Sequence, residues 1–157
     1  MFKIILNSLK AYETIKIRLG DEESFTDLYY YCLDNTFFKD DETITKGLLN
    51  FVCMVENWKI NIKKLEIGSS TALPFDFSDQ YIGFFIISKV DEQLVTIQSA
   101  WTLAHKGWGV NPSQLHLVNL LDDPYEVADK SYTMPLQELL DSIEDSMTAI
   151  FSEFYKK

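Results

Sequence analysis

Apolar and polar positions alternate from Thr14 to Leu19, with Ile15, Ile17 and Leu19 set against Thr14, Lys16 and Arg18. This period of two marks a half-buried strand, so strands are predicted over residues 2–6 and 12–19, with Gly20 ending the second. The spacing then changes. Phe25, Leu28, Tyr29 and Cys32 fall at i, i+3, i+4 and i+7, which predicts a helix opened by Asp21-Glu22-Glu23-Ser24. Ser24 and Asp27 are spaced as a capping box there, and the acids would sit beside the positive end of the helix dipole. Asp40-Asp41-Glu42-Thr43 repeats the device before a second stripe, Ile44, Leu48, Phe51, Val52 and Val55, which runs to Trp58. From Trp58 to Ile67 two readings stay open. Trp58, Ile62 and Leu65 keep helical spacing, whereas Ile60 and Ile62 alternate with Lys59, Asn61 and Lys63 as in a strand; helix is preferred.

Gly68-Ser69-Ser70 punctuates the chain, and Pro74 predicts an extended or turning approach to the next element. Tyr81–Val90 and Leu94–Thr102 are rich in β-branched and aromatic residues around Asp91-Glu92-Gln93, the signature of an antiparallel hairpin. Leu115–Val118 and Lys130–Met134 are candidate further strands, with Asp122-Asp123-Pro124-Tyr125 as a turn between them. Leu136, Leu139, Leu140, Ile143, Met147, Ile150, Phe151 and Phe154 predict a helix from Pro135 to Tyr155, with Pro135 in its first turn. Such a helix spans about 30 Å, enough to lie across a sheet. The fold class expected is α+β, a central largely antiparallel sheet packed by helices, including this long amphipathic C-terminal helix. No repeat or Pro/Gly/Ser linker divides residues 1–157, so a single domain is expected.

Charge narrows the function. Twenty-four acids against fourteen bases give a net charge of -10, and Arg18 is the sole arginine, a poor composition for binding nucleic acid. The apolar run near Met1 is too brief for a secretory h-region, so the start reads as mature protein. No stretch reaches the roughly 18 apolar residues of a membrane span, so no membrane insertion is expected. Cys32 and Cys53 lack Cys-x-x-Cys spacing and read as packed thiols in a reducing, cytoplasmic setting. His105, in a loop beside Gly107-Trp108-Gly109, and His116, among leucines, lie at no zinc-binding spacing. No metal or cofactor is therefore expected. Asp76 and Asp79 are three apart and could serve as an acid-base pair, but hydrogen bonding within a turn explains them better. With no Gly-x-Ser-x-Gly and no phosphate loop either, the chain is expected not to be an enzyme.

Binding surfaces remain. A helix cannot bury all of Tyr29-Tyr30-Tyr31 on one side, so at least one tyrosine must face outward, and Tyr30 is a candidate contact. Trp108 between two glycines reads as a loop plug on the core. Glu138, Asp141, Glu144 and Asp145 gather on the polar side of the C-terminal helix. Residues 65–155 are strongly acidic against only Lys89, Lys106 and Lys130, a distribution that keeps a protein soluble and can steer a basic partner.

Leu73-Pro74-Phe75-Asp76-Phe77-Ser78-Asp79-Gln80-Tyr81, followed by the hairpin and the acidic terminal helix, resembles small bacterial immunity proteins of toxin systems, including contact-dependent growth inhibition. The resemblance covers residues 73–155 as an arrangement of elements and carries no position-by-position motif. It implies a cytoplasmic protein that binds and neutralises a cognate toxin domain, often a basic nuclease, whose cationic cleft carboxylates can occupy. Two other classes compete: a non-catalytic accessory or scaffold subunit with a larger apolar interface, and a small hydrolase using Asp76 or Asp79.

Overall fold

The computed structural model describes residues 1–7, 15–38, 44–117 and 119–156. Strands β1 (Phe2–Leu6), β2 (Ile15–Leu19) and β3 (Glu22–Thr26) form an antiparallel sheet in that order. Phe2, Ile4, Ile15, Ile17 and Leu19 are all buried, as their alternation predicts. Residues 12–14 of the predicted second strand lie outside the described residues.

The helix predicted from Ser24 is instead β3, followed by the single turn α1 (Tyr29–Cys32). Gly20, at φ 62°, closes a tight hairpin with Asp21, a conformation glycine adopts without strain. Across that hairpin Arg18 faces Glu23 in register and donates to its Oε1 at 2.6 Å, while Lys16 lies over the Phe25 ring at 5.4 Å. Glu23 thus pairs across strands, and Asp21 receives Lys130 Nζ at 2.8 Å and the Tyr132 hydroxyl at 2.5 Å. The Lys130 bond first, then the Tyr132 bond, pulls the Asp21 carboxyl down to about 2. Ser24 caps nothing; Asp27 Oδ1, accepting from Tyr29 N at 2.9 Å, opens the short α1.

Helix α2 (Ile44–Lys63) settles the open segment as helix as far as Lys63, with residues 64–67 in turn and irregular backbone: Ile62 is fully buried while Ile60 is 47% exposed, a split two residues apart that one strand face would not give. The acidic stretch expected to start it, Asp40-Asp41-Glu42-Thr43, lies outside the described residues. Leu48, Phe51, Met54, Val55 and Trp58 fill the core from α2. Gly47 lets α1 come close, since a Cβ there would lie 2.6 Å from Cys32 Sγ. Tyr31, fully buried, meets Phe51 and Phe77 edge-on and donates to the Phe75 carbonyl at 2.8 Å.

The remaining strands form a second antiparallel sheet, β4 (Ser70–Phe77), β5 (Ile82–Lys89), β6 (Leu94–Thr102) and β7 (Glu126–Pro135), in sequence order. The predicted central hairpin is present, with Ile82 opposite Thr102 and Lys89 opposite Val95. The α+β class holds, with the antiparallel strands divided between a three-stranded and a four-stranded sheet. β4 carries Pro74, which the edge position tolerates because its outer side needs no ladder donor. Leu115–Leu117 belong to a 3-10 helix, Pro112–Leu117, and not to a strand; Val118 lies outside the described residues. The Asn111 carbonyl accepts from Gln114 N at 2.9 Å and Asp34 Oδ2 from Ser113 N at 2.8 Å, holding the coil start where strand pairing would have to begin.

Helix α3 (Leu136–Phe154) follows β7 directly. Pro135 is extended at φ -60°, ψ 135° and stands just outside the helix, which starts one residue later than predicted because Pro135 still pairs with Leu94. α3 packs along β1 and touches β7, burying Leu139, Ile143, Met147 and Ile150, with Leu140 half-buried. One cluster of buried side chains runs through both sheets; Phe2 of β1 meets Phe85 of β5 edge-on across the two, and Phe75 stacks on Phe85 within the second sheet.

Candidate protein-binding surface

The polar side of α3 stands exposed because the opposite stripe is committed to the core. Glu138, Asp141, Glu144 and Asp145 are all solvent-facing. They are not equivalent. Lys59 of α2 donates to Glu144 Oε2 at 2.5 Å and to Glu56 Oε1 at 3.0 Å, and this lysine holds the Glu144 carboxyl below its usual range. Asp141 accepts only a neutral bond, from Gln137 Nε2 at 2.8 Å. Among the described residues no ion pair reaches Glu138, Asp141 or Asp145. Their spacing over seven residues makes a strip about 10 Å long.

Tyr30 lies elsewhere. Its hydroxyl donates to Asp79 Oδ1 in the β4–β5 turn, and burial together with that carboxylate pushes its pKa up to about 12. Tyr29, 54% exposed, is the outward member of the triplet and meets the Tyr30 ring edge-on. Tyr30 shares no hydrogen bond or ring contact with α3 among the described residues, so the predicted contact set divides into an α3 strip and an α1 patch.

Asp76 and Asp79 face different tyrosines. Asp76 Oδ2 accepts from the Tyr81 hydroxyl at 2.8 Å, and burial raises its carboxyl, while Asp79 serves Tyr30. No hydrogen bond joins the two acids, as a shared-proton dyad requires. His105 is half-buried, with Nε2 at 2.6 Å from Asp123 Oδ2; the His116 side chain lies outside the described residues. Cys32 and Cys53 are free thiols, and burial pushes Cys53 up, away from the thiolate. Among the described residues no group of three or more His, Cys, Asp or Glu could hold a metal ion. Among them, too, no helix is long and apolar enough to cross a membrane.

Trp108 is not a plug. It is 65% exposed, and Gly107 fills the loop's inner position, donating to the Ser78 carbonyl at 2.6 Å where a Cβ would strike that backbone. Lys106 Nζ lies 5.9 Å from the Trp108 ring centre. Sequence reasoning also missed a cleft of about 410 Å³ lined by Ser24, Asp76, Tyr81, Gly83, Ser99 and Trp101 among others. Gly83 inside a strand pattern is the one local signal for it, since such a glycine often marks a close approach or a bulge. Compared with protein-family models, curated proteins and solved structures, the chain matches none.

Proposed function

We propose that this chain is an immunity protein that binds and neutralises a basic toxin domain through the outer strip of α3. The observation that carries the reading is the uncompensated triplet Glu138, Asp141 and Asp145, set on a helix whose other side is fixed in the core. These carboxylates repel one another at helical spacing, and a partner's lysines or arginines relieve that repulsion on docking. A nuclease is the favoured target because its cationic cleft complements this strip, and the net charge of -10 draws such a partner in from a distance. The reading implies action in the cytoplasm without catalysis by this chain.

The test is association with a toxin domain encoded beside its gene, measured for the native chain and for Asp141→Lys/Asp145→Lys at low and moderate salt. The native on-rate should fall steeply with salt, and the double variant should associate at least about tenfold more slowly. Unchanged association in a folded double variant removes this face, and failure to bind any such toxin removes the function. A second reading, an accessory subunit, draws on exposed Leu103 (67%), Trp108 (65%) and Tyr125 (41%); an apolar interface there would be insensitive to salt.

A further inference from the structure

Asp76, Gly83 and Trp101 stand in one cross-strand row: Asp76 of β4 and Trp101 of β6 both oppose Gly83 of β5. Strand spacing puts the two outer backbones about 10 Å apart, and the glycine between them contributes no side chain to the gap. Register shifts flank the row on both sides, between Pro74 and Asp76 and between Gln98 and Ala100. Bulges of this kind add local twist and re-aim side chains, and here they open the end of the four-stranded sheet beside Ser24 of β3. The resulting cleft has a volume of about 410 Å³ and a rim formed by Leu103, which is 67% exposed.

Among the residues lining it, Asp76 carries the one charge, beside the hydroxyl groups of Ser24, Tyr81 and Ser99. Tyr81 occupies Asp76 Oδ2, and Oδ1 has no hydrogen-bond partner among the described residues. No lysine or arginine among them forms an ion pair with Asp76. One carboxylate without further metal-ligating neighbours suits a divalent cation poorly. A carboxylate beside an indole and a leucine does suit a planar or compact organic cation on an apolar stem, which an aromatic face also attracts.

We propose that this cleft binds a guanidinium or alkylammonium group on a short apolar stem, with Asp76 taking the charge, Gly83 forming the floor and Trp101 the wall. The stem is carried by a free small amine or by a partner's arginine or lysine side chain. This site is independent of the immunity reading, because no α3 residue lines it. Burial raises the Asp76 carboxyl, so a bound cation also relieves an unfavourable charge there.

The probe is n-butylguanidine, with neutral n-butylurea as its shape match, followed by amide and indole NMR shifts. Butylguanidine should move the Gly83 amide and the Trp101 indole saturably at millimolar concentration, leave the buried Trp58 indole unmoved, and bind at least about tenfold more tightly than butylurea. Asp76→Asn retains an acceptor for Tyr81 and should weaken butylguanidine at least about tenfold. Trp101→Ala, at a half-exposed position, should weaken it severalfold and keeps the test decisive if the first variant does not fold. Acetyl-Gly-Arg-Gly-amide identifies the source: affinity equal to or above that of butylguanidine assigns the cleft to a partner's side chain, and much weaker affinity assigns it to a free amine. Equal binding of butylurea, retention of affinity in folded Asp76→Asn, or the absence of shifts at Gly83 and Trp101 overturns the proposal.

Discussion

Ser146 holds the joint between α3 and the first sheet. β1 is an edge strand, and its Ile4 N–H donates to Ser146 Oγ at 3.0 Å, a buried bond across 142 residues of sequence. The same hydroxyl donates to the Ser142 carbonyl at 2.6 Å, so its proton is committed and its lone pair is aimed at the strand. Ser146→Ala removes the acceptor and leaves the Ile4 N–H buried without a partner, a loss of about 1–3 kcal/mol. Alanine's better helix propensity returns about 0.5 kcal/mol, so the net destabilisation expected is about 0.5–2.5 kcal/mol. With a urea slope of about 2 kcal/mol/M, the unfolding midpoint should fall by about 0.3–1.2 M at unchanged slope. Native-state hydrogen exchange should show the Ile4 amide losing protection beyond that global change. Ser152→Ala, at an exposed position on the same helix, is the control and should move stability by less than about 0.5 kcal/mol. A Ser146→Ala protein as stable as the native chain, with Ile4 still protected, would refute the claim that this hydroxyl closes the sheet edge.

Ile143→Ala, at a fully buried site, should cost about 2–5 kcal/mol in chemical denaturation, and Leu140→Ala, half-buried, distinctly less; the reverse order would mean that α3 is rotated on β1. Gly20→Ala should cost at least about 1 kcal/mol from its left-handed backbone. It should also disturb Tyr132, since the new Cβ would lie 2.2 Å from that ring, a change visible in the Tyr132 ring resonances. The Asp21 carboxyl should titrate at about 2 by NMR; because that lies below its ordinary 3.8, its stabilising effect is complete above pH 4 and is lost as pH falls toward 2. Asp21→Asn should flatten this part of the acid-unfolding profile, and an Asp21 carboxyl titrating at 3.8 would remove the Lys130 and Tyr132 contacts from the account. Asp141→Lys/Asp145→Lys should leave thermal stability equal or slightly higher, because the Glu138–Asp141 repulsion of about 0.2–0.5 kcal/mol becomes an attraction while positions 141 and 145 stay like-charged; a marked loss would give those acids a structural role.

Local pattern was sufficient where local contacts decide the structure. The β5–β6 hairpin was legible from two β-branched and aromatic runs on either side of Asp91-Glu92-Gln93, and Asp91 Oδ1 does accept from Gln93 N and Leu94 N to build that turn. α3 was legible because eight apolar positions kept one helical face. β3 was not, because Glu22, Glu23 and Ser24 have low strand propensity and are held by partners on β2. The Gly20-Asp21 pair between two five-residue segments was the hairpin signal, outweighed by acids that resemble a helix start. The acidic strip could be read from helical spacing, but Lys59 neutralising Glu144 crosses 85 residues and has no local trace. The cleft was harder still: Asp76, Gly83 and Trp101 become neighbours only through the registers of three strands and the bulges beside them.

If the two surfaces bind as proposed, they serve different steps of recognition, because their charges sit in different surroundings. Glu138, Asp141 and Asp145 lie in water, where screening over about 8–10 Å at moderate salt limits them to guiding a partner's approach. Their contribution belongs mainly to the association rate. Asp76 is partly withdrawn from water beside Tyr81 and Trp101, where screening is weaker and removing a bound cation exposes the carboxylate's desolvation cost again. Its contribution belongs mainly to the dissociation rate. The acidic surface therefore divides by burial into carboxylates suited to steering and one suited to holding, a distinction that neither net charge nor the sequence positions of the acids can express.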